Sequence, residues 1–300
     1  MVFSRSQKYS IIFVFPFIKH FIFSYFYRHT FFMSDFETIE PVWKFQAEAD
    51  PIVEVTSFQL LLWPEGVTIV GYSGEGHAID VRTFLFLKRW DIDFLEYLIN
   101  NDAAFAGPQP IRKIWLADER NLLIPANLAG DDHSESWFRK FHFLEAEEQL
   151  THLNMSPHLE ADLTFPIHDK LRELLEKYLP EARINALSYY ALAELDPSTA
   201  PVLRILSLPK FVFFTLQQNG KFLLHQLYPY EQADNIVYKI ALLLQEKDIP
   251  QDHIGISLQG IAPFWHNLHT ELPAFFPEMN AIPDTTATSL TFLNNLYQCE

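Results

Sequence analysis

Two short clusters contain the side chains of this sequence best suited to bind a metal ion. His266 and His269 are three residues apart on a predicted helix, a spacing that places two imidazoles on one face. Asp131, Asp132 and His133 form an acidic trio of the type that binds divalent cations. The histidine pair lacks the glutamate and the third ligand of a zinc motif, and the trio falls in a predicted solvated loop. We therefore predict ordinary surface side chains at both places and no metal site.

The motifs of nucleophilic and nucleotide-dependent catalysis do not occur in the sequence. It contains no Gly-x-Ser-x-Gly elbow, no Gly-x-x-x-x-Gly-Lys phosphate loop and no Gly-x-Gly-x-x-Gly fingerprint, and only nine of its 300 residues are glycine. Residues 145–148 are predicted as a charged helix face. The single cysteine, Cys299, fits a reducing compartment, so we expect a cytoplasmic protein without disulfides. No catalytic residue is predicted.

The elements that would position any site are two similar units in the two halves of the chain. Residues 59–86 and 203–230 lie about 145 positions apart, and each predicts three short strands that lead into a helix. In both units a short turn containing proline joins the first two strands. The duplication predicts two α/β lobes, residues 51–160 and 161–300, that face each other across a cleft.

Further elements are predicted between and after these units. Apolar side chains follow one helical face in residues 91–101 and 168–179. Short apolar runs predict strands at 111–116, 121–124, 161–166 and 254–260. Pro125 stands where proline often begins a helix, so a helix is predicted to start there. Residues 34–50 are predicted to be a loose acidic arm.

The first 32 residues differ in composition from the rest of the chain. They contain nine phenylalanines, four basic residues and no acid. Residues 11–27 are apolar but are interrupted by Pro16 and Lys19, and 17 residues is the lower limit for a helix that crosses a bilayer. We interpret residues 1–32 as a mis-called start of translation within an N-terminal extension, residues 1–50. A hydrophobic membrane anchor is the alternative.

The charge balance argues against polyanionic partners. The chain has 22 Lys and Arg against 38 Asp and Glu, which gives a net charge of -16. Proteins that bind nucleic acids or anionic membranes need a basic patch, and no run of basic residues occurs here. We expect no nucleic-acid partner, and no membrane partner unless residues 11–27 are translated. The expected partner is another protein or a small ligand of unknown identity.

Six dispersed segments together carry a family resemblance. They are an apolar strand with a proline-led turn at 122–128, a Phe-Pro-Ile-x-x-x-Leu pattern at 165–171, residues 219–227, the predicted helix that contains Tyr238, and residues 254–260 and 292–300. These segments resemble DUF3822, a family of uncharacterised proteins found mainly in Bacteroidetes. The resemblance covers about residues 51–300. This family looks like a member of the actin-like ATPase superfamily. The resemblance therefore implies an α/β fold of two ribonuclease-H-like lobes, with mixed sheets flanked by helices.

The resemblance also implies where a nucleotide would bind. In active relatives, each lobe opens with a hairpin turn rich in Asp and Gly, whose amides hold phosphates while the acid organises a metal ion. The corresponding turns here contain proline, which lacks an N–H, and contain no Asp. The degenerate cleft positions are Pro64, Glu65, Gly66, Pro209, Lys210 and Gly260. The resemblance therefore implies that both turns have lost the ability to hold phosphates, and we expect no cofactor to bind.

Three functions are compatible with these observations. The first is a non-catalytic actin-like protein that binds a protein or a small ligand. The alternative is a divergent ATPase or kinase-like phosphotransferase, which would use ATP and magnesium, with Glu65 and Asp80 as the first candidates for relocated acids. A scaffold anchored through residues 11–27 is the third. An open polar cleft would favour a ligand, whereas a cleft filled by Trp63 or Phe211 would favour a scaffold.

Overall fold

The computed structural model describes residues 40–47, 53–129, 131–155, 159–193, 199–261, 266–276, 279 and 285–299, apart from the side chains of residues 131, 132, 266 and 267. The chain divides into two units, Met1–Glu40 and Pro41–Glu300. All elements given below belong to the second unit. Residues 1–32, on which the predictions of a mis-called start and of a membrane anchor depend, lie outside the described residues.

A six-stranded mixed sheet forms the first lobe. Its strands, in spatial order, are β1 (Trp43–Gln46), β4 (Ala78–Leu85), β3 (Gly66–Tyr72), β2 (Ser57–Trp63), β5 (Ile111–Leu116) and β9 (Arg183–Ala186). The neighbouring strands among β1, β4, β3 and β2 are antiparallel. β5 is parallel to β2, and β9 is parallel to β5. Every residue of β2 and β3 is buried, which explains why both strands are almost continuously apolar. β1 lies within residues 34–50, which were predicted to be a loose arm, and it forms an edge strand of this sheet.

The second lobe repeats this plan with fewer strands. Its sheet has the order β12 (Lys221–Pro229), β11 (Phe211–Gln218), β10 (Val202–Leu208) and β13 (Gly255–Gly260). β10 pairs antiparallel with β11 and in parallel with β13, as β2 does with β3 and β5. A helix follows the third strand in each lobe: α1 (Ile92–Asn101), which is followed by the short α2 (Ala103–Ala106), and, in the second lobe, the helix Ala233–Glu246. The predicted duplication and fold class are therefore confirmed.

A three-stranded antiparallel sheet is inserted into the first lobe between β5 and β9. It contains β6 (Leu122–Pro125), β8 (Ala161–His168) and β7 (Glu148–Asn154), with helices α3 (Asp131–Phe141) and α4 (Asp169–Tyr178). His168 caps α4, since its Nδ1 accepts a hydrogen bond from the Lys170 amide at 3.2 Å. Because of this insertion, β5 and β9 are far apart in the sequence although they pair with each other.

Three local predictions in this insertion were wrong. Pro125 ends β6, paired with Ala161, and starts no helix. Residues 131–136 are the first turns of α3 instead of a loop, because Ser134 and Phe138 lie one helical turn apart and bury one face while acidic residues favour the helix start. Residues 145–147 form a turn, and Glu148 begins β7.

The chain leaves the first sheet later than the predicted division after residue 160. β9 pairs with β5, so the chain remains in the first lobe up to Ala186. A buried helix, α5 (Leu187–Ala193), then precedes the second lobe. Neither β9 nor α5 was predicted, because four residues and seven residues are too short for a clear periodicity.

One hydrophobic cluster belongs to both lobes. It includes Trp63 of β2, Trp115 of β5, Phe211 of β11 and Phe292 of the C-terminal helix, each at most 5% exposed. A second cluster packs the sheet of the second lobe against α6 (Ala233–Glu246) and α7 (His266–Phe275). The two lobes are therefore joined by a common apolar core.

The C-terminal helix, α8 (Thr285–Gln298), follows the second lobe in the chain but is bonded to the first. The hydroxyl of Tyr72 donates to the carbonyl oxygen of Leu293 at 2.9 Å. The amide of Ala78 donates to Oδ1 of Asn294 at 2.7 Å.

Within the described residues, no helix combines the length and the apolar character needed to cross a bilayer.

Candidate functional site

The β2–β3 and β10–β11 turns face one groove between the lobes. The groove has a volume of about 1060 Å³. Its lining combines side chains of both signs of charge with apolar side chains. Its lining residues are Glu65, Leu85, Arg89, Glu119, Pro209, Lys210, Phe211, Leu227, Pro229, Tyr230, Glu231, Ala233, Asn235 and Leu268.

The first turn uses its carbonyl groups to hold the chain segment that follows β4. Trp63 pairs with Gly66, so Pro64 and Glu65 form a two-residue loop. The amide of Phe86 donates to the carbonyl of Glu65 at 2.7 Å, and the amide of Trp90 donates to that of Pro64 at 2.7 Å. Trp90 has a φ of 50°, an uncommon conformation for a bulky residue. The turn is thus part of the protein's own hydrogen bonding, and its proline has no amide to offer a phosphate.

The second turn repeats this arrangement. Leu208 pairs with Phe211, which leaves Pro209 and Lys210 in the loop. Lys210 has a φ of 69°, the left-handed conformation that a type II turn requires at its second central position. The amide of Tyr230 donates to the carbonyl of Lys210 at 2.9 Å, as that of Phe86 does to Glu65. Glu65 and Lys210 are therefore equivalent residues of opposite charge at the two sides of the groove.

Glu65 has an incomplete set of hydrogen bonds. Its Oε2 atom is buried and has no hydrogen-bond partner among the described residues. Burial raises the pKa of Glu65, and the positive charges of Arg89 and Lys210 only partly oppose this. A buried carboxylate oxygen without a hydrogen-bond partner is destabilising unless a donor reaches it. Glu65 is thus the residue of the groove with the clearest capacity to bind a ligand group.

Aromatic side chains fill the space beneath the two turns. Trp63 is 0% exposed and lies against Gly66, where a Cβ atom would clash with the Phe84 carbonyl and lie 2.6 Å from Cζ2 of the indole. Phe211 is buried in the same cluster and also borders the groove. The cleft therefore combines features of both alternatives: its floor is filled, and a groove lined by charged and apolar residues remains above it.

Gly260 supports strand pairing between β13 and β10. Its φ is 149°, and a Cβ atom would clash with the carbonyl group of Ser207. Only glycine allows this close approach of the two backbones. Gly260 does not line the groove. The six predicted cleft positions thus lie at or beside the two turns, but Gly260 has a backbone role.

A second cavity, of about 680 Å³, continues from the groove toward the inserted sheet. Arg89 and Glu119 line both cavities and form an ion pair with each other. Trp90, Phe143 and His168 contribute to the wall of the second cavity. The groove and this cavity are therefore neighbours that share part of their walls.

A buried charge cluster connects β5 to the inserted sheet beside that cavity. Arg120 donates to both carboxylate oxygens of Glu148, at 2.8 and 2.7 Å, and its Nε donates to Asp118 at 3.1 Å. The two acids are 6% and 5% exposed. Burial raises the pKa of Asp118 against the opposing effect of Arg120. Burial also acts to raise the pKa of Glu148, but hydrogen bonds from Arg120 and from the Glu145 amide lower it overall.

The other predicted residues lie away from the groove. Asp80 pairs with Arg82 at 3.2 Å and occupies the end of β4 opposite to the turn, so the structure does not bring it to Glu65. The carbonyl of Cys299 accepts a hydrogen bond from Lys113. The side chains of Asp131, Asp132 and His266 lie outside the described part. Within that part, no three His, Cys, Asp or Glu side chains come together as a metal site.

Sequence reasoning missed the residues that complete the groove and its neighbouring cavity. Arg89, Glu119, Arg120 and Glu148 come from three separate segments. Their only sequence signal is the Asp-Glu-Arg run at 118–120, which follows β5. Tertiary folding brings Glu148 to it.

The model of the family described as "Protein of unknown function (DUF3822)" matches residues 113–279, which is more than half of the chain. The chain belongs to the DUF3822 family. The predicted resemblance is thereby confirmed. A comparison with curated proteins finds no match.

Solved structures place this DUF3822 protein in the actin-like fold. A Bacteroides thetaiotaomicron VPI-5482 protein described as having an actin-like ATPase fold and unknown function aligns with a TM-score of 0.65 and 16% identity, over 82% of this chain and 97% of that one. A PilM–PilN type IV pilus biogenesis complex aligns with a TM-score of 0.46 and 11% identity, over 81% and 97%. The ethanolamine utilization protein EutJ from Carboxydothermus hydrogenoformans aligns at 0.44 and 11%, over 82% and 93%. The first likeness carries the fold assignment.

Proposed function

We propose that this DUF3822 protein is a non-catalytic actin-like module of the cytoplasm that binds a protein partner or a small ligand in the groove between its lobes. It requires no cofactor. In this proposal the fold retains its cleft but has lost the groups that bind ATP and magnesium.

The observation that carries this proposal is the equivalent use of both turns. The carbonyl groups of Glu65 and Lys210 each accept an amide of the protein itself, and each loop begins with a proline. Hydrogen bonds to charged groups contribute about 1.5–3 kcal/mol each, so the loss of two phosphate loops removes most of the expected affinity for a nucleotide. The side chain of Trp63, which is 0% exposed, fills the space beneath the first turn, and this also supports the proposal.

Isothermal calorimetry with ATP and magnesium tests the proposal. We expect no heat of binding at millimolar ATP, and an active actin-like ATPase measured in the same buffer serves as the control. Micromolar affinity, or phosphate release above the buffer rate, would show that the proposal is wrong.

The divergent phosphotransferase has weaker support. Glu65 lies in the groove with a raised pKa, as a general base does, but Asp80 is held by Arg82 at the far end of β4. A reaction that requires both acids therefore finds no support in this arrangement. If ATP turnover were observed, Glu65→Gln would abolish it and Asp80→Asn would not.

A further inference from the structure

Glu65 gives the groove a chemical preference for its ligand. Its Oε2 atom is buried and has no partner among the described residues, although the atom belongs to a residue that lines the groove. The neighbouring Arg89 is already paired with Glu119. Rotation of the Glu65 carboxylate toward the groove would let an N–H donor of a ligand complete its hydrogen bonding, and a cationic donor would form the stronger bond.

The other charges of the groove favour a positive group at the same place. Glu119 and Glu231 add two carboxylates to the lining, and the whole chain carries a net charge of -16. Lys210 lies across from Glu65 and offers a donor to a carbonyl or carboxylate oxygen. The lining thus has three acids against two cations, one of which, Arg89, is already paired with Glu119. A segment with a basic side chain and peptide carbonyls therefore fits it better than a polyanion such as a nucleotide.

The dimensions and composition favour a peptide over a small molecule. The groove of about 1060 Å³ is already at the upper limit of small-molecule pockets, and a cavity of about 680 Å³ adjoins it at Arg89 and Glu119. Leu85 and Leu227 present apolar side chains among the charged residues of the lining. Protein–protein interfaces combine apolar and polar contacts of this kind.

We propose that the groove binds an extended segment of a partner protein and that Glu65 pairs with a lysine or arginine side chain of that segment. This proposal rests on the proposed function and specifies the partner of the same site. Lys210 bonds to an oxygen of the segment, and the segment's non-polar side chains contact Leu85 and Leu227.

Selection of random dodecapeptides on phage, with the full-length protein as bait, tests the proposal. We expect enrichment of peptides that combine a basic residue with apolar residues. Synthetic versions should bind the Glu65→Gln variant at least tenfold more weakly by fluorescence polarisation. Glu75→Gln is the matched control, because the Glu75 side chain is 85% exposed and lies outside the groove, and its affinity should equal that of the wild type.

A charge reversal keeps the test independent of stability. Glu65→Lys should shift the selected peptides from basic to acidic residues, a change that a partly unfolded variant would not produce. Circular dichroism and the urea midpoint of each variant are measured alongside.

The possible outcomes separate this inference from the proposed function. Selected peptides that bind in the groove but show no preference for basic residues would overturn the inference and leave the proposed function intact. Peptides insensitive to Glu65→Gln, Glu65→Lys and Lys210→Gln alike would contradict both. If lysine amide alone bound as tightly as the selected peptides, the ligand would be a small amine and the inference would be overturned. If sedimentation showed a dimer that Glu65→Gln dissociates, the occupant would be a second copy of the chain, and the inference would be overturned as well.

Discussion

At the scale of single residues, His225 links the second lobe to pH. Its ring stacks on Phe213 with the centroids 5.7 Å apart, and its Nδ1 lies 2.9 Å from the hydroxyl of Thr215. Nε2 is buried and has no partner among the described residues. Burial lowers the pKa of His225 from 6.5 to about 4. The folded protein therefore holds this imidazole neutral in a range where the unfolded chain protonates it.

The resulting prediction is a loss of stability in mild acid. Between pH 6.5 and 4 the unfolded state binds the proton and the folded state does not, so the free energy of unfolding from this group falls as the pH falls. The loss between pH 7 and 5 should be about 1–2 kcal/mol. In urea titrations, His225→Gln should be less sensitive to pH over this range by that amount.

His253→Gln provides the control, because the side chain of His253 is 69% exposed. Its pH profile should match that of the wild type. Identical profiles for all three proteins would show that the His225 ring is not kept neutral by burial.

The residues of the groove were predictable only in part. Pro64, Glu65, Pro209 and Lys210 follow from the sequence because a turn between two apolar strands is a local pattern. Arg89 could not be placed, because its position depends on the amide of Trp90 bonding back to Pro64 across the lobe. A residue that is positioned by such a long-range contact cannot be recognised from its neighbours in the sequence.

At the scale of elements, the Asp118–Arg120–Glu148 cluster fastens the inserted sheet to the first lobe. Arg120 is the only cation that bonds to both acids among the described residues. Replacing it by methionine keeps the bulk of the side chain but leaves two buried carboxylates without a counter-charge. We expect Arg120→Met to lower the free energy of unfolding at pH 7 by about 3–5 kcal/mol, measured in urea.

Arg139→Met is the matched control for this substitution. Arg139 bonds to Glu135 at 2.7 Å, but both side chains are at least half exposed, so a loss below about 1 kcal/mol is expected. Similar losses for the two variants would mean that the buried cluster does not hold the inserted sheet.

The elements themselves show where sequence patterns are sufficient. β2, β3, β10 and β11 were predicted because strands buried on both faces are almost continuously apolar. The helix α3 was missed because its first turn is entirely polar, and that composition is shared by loops. β7 alternates half-buried and exposed residues, so its pairing with β8 could not be inferred from hydrophobicity.

At the scale of the whole molecule, the shared core makes the two lobes dependent on each other. The cluster joins β2 and β5 of one lobe to β10 and β11 of the other through α5 and α8. Phe292 of α8 is 0% exposed and packs edge-on against Tyr190 of α5, with the ring centroids 5.5 Å apart. A lobe that opened alone would expose this apolar surface, so we expect one cooperative unfolding transition.

Phe292→Ala tests that cooperativity. Removing a buried aromatic ring should cost about 3–5 kcal/mol, and native-state hydrogen exchange should show the same loss for the amides of β3 and of β11. Tyr238→Ala, which removes a 65% exposed ring from α6, should change neither set by more than about 0.5 kcal/mol. If β11 lost protection while β3 kept it, the lobes would be separate folding units that open independently. The groove between the two turns would then vary in width, and Glu65 and Lys210 could not be held at the fixed separation that recognition of one peptide segment requires.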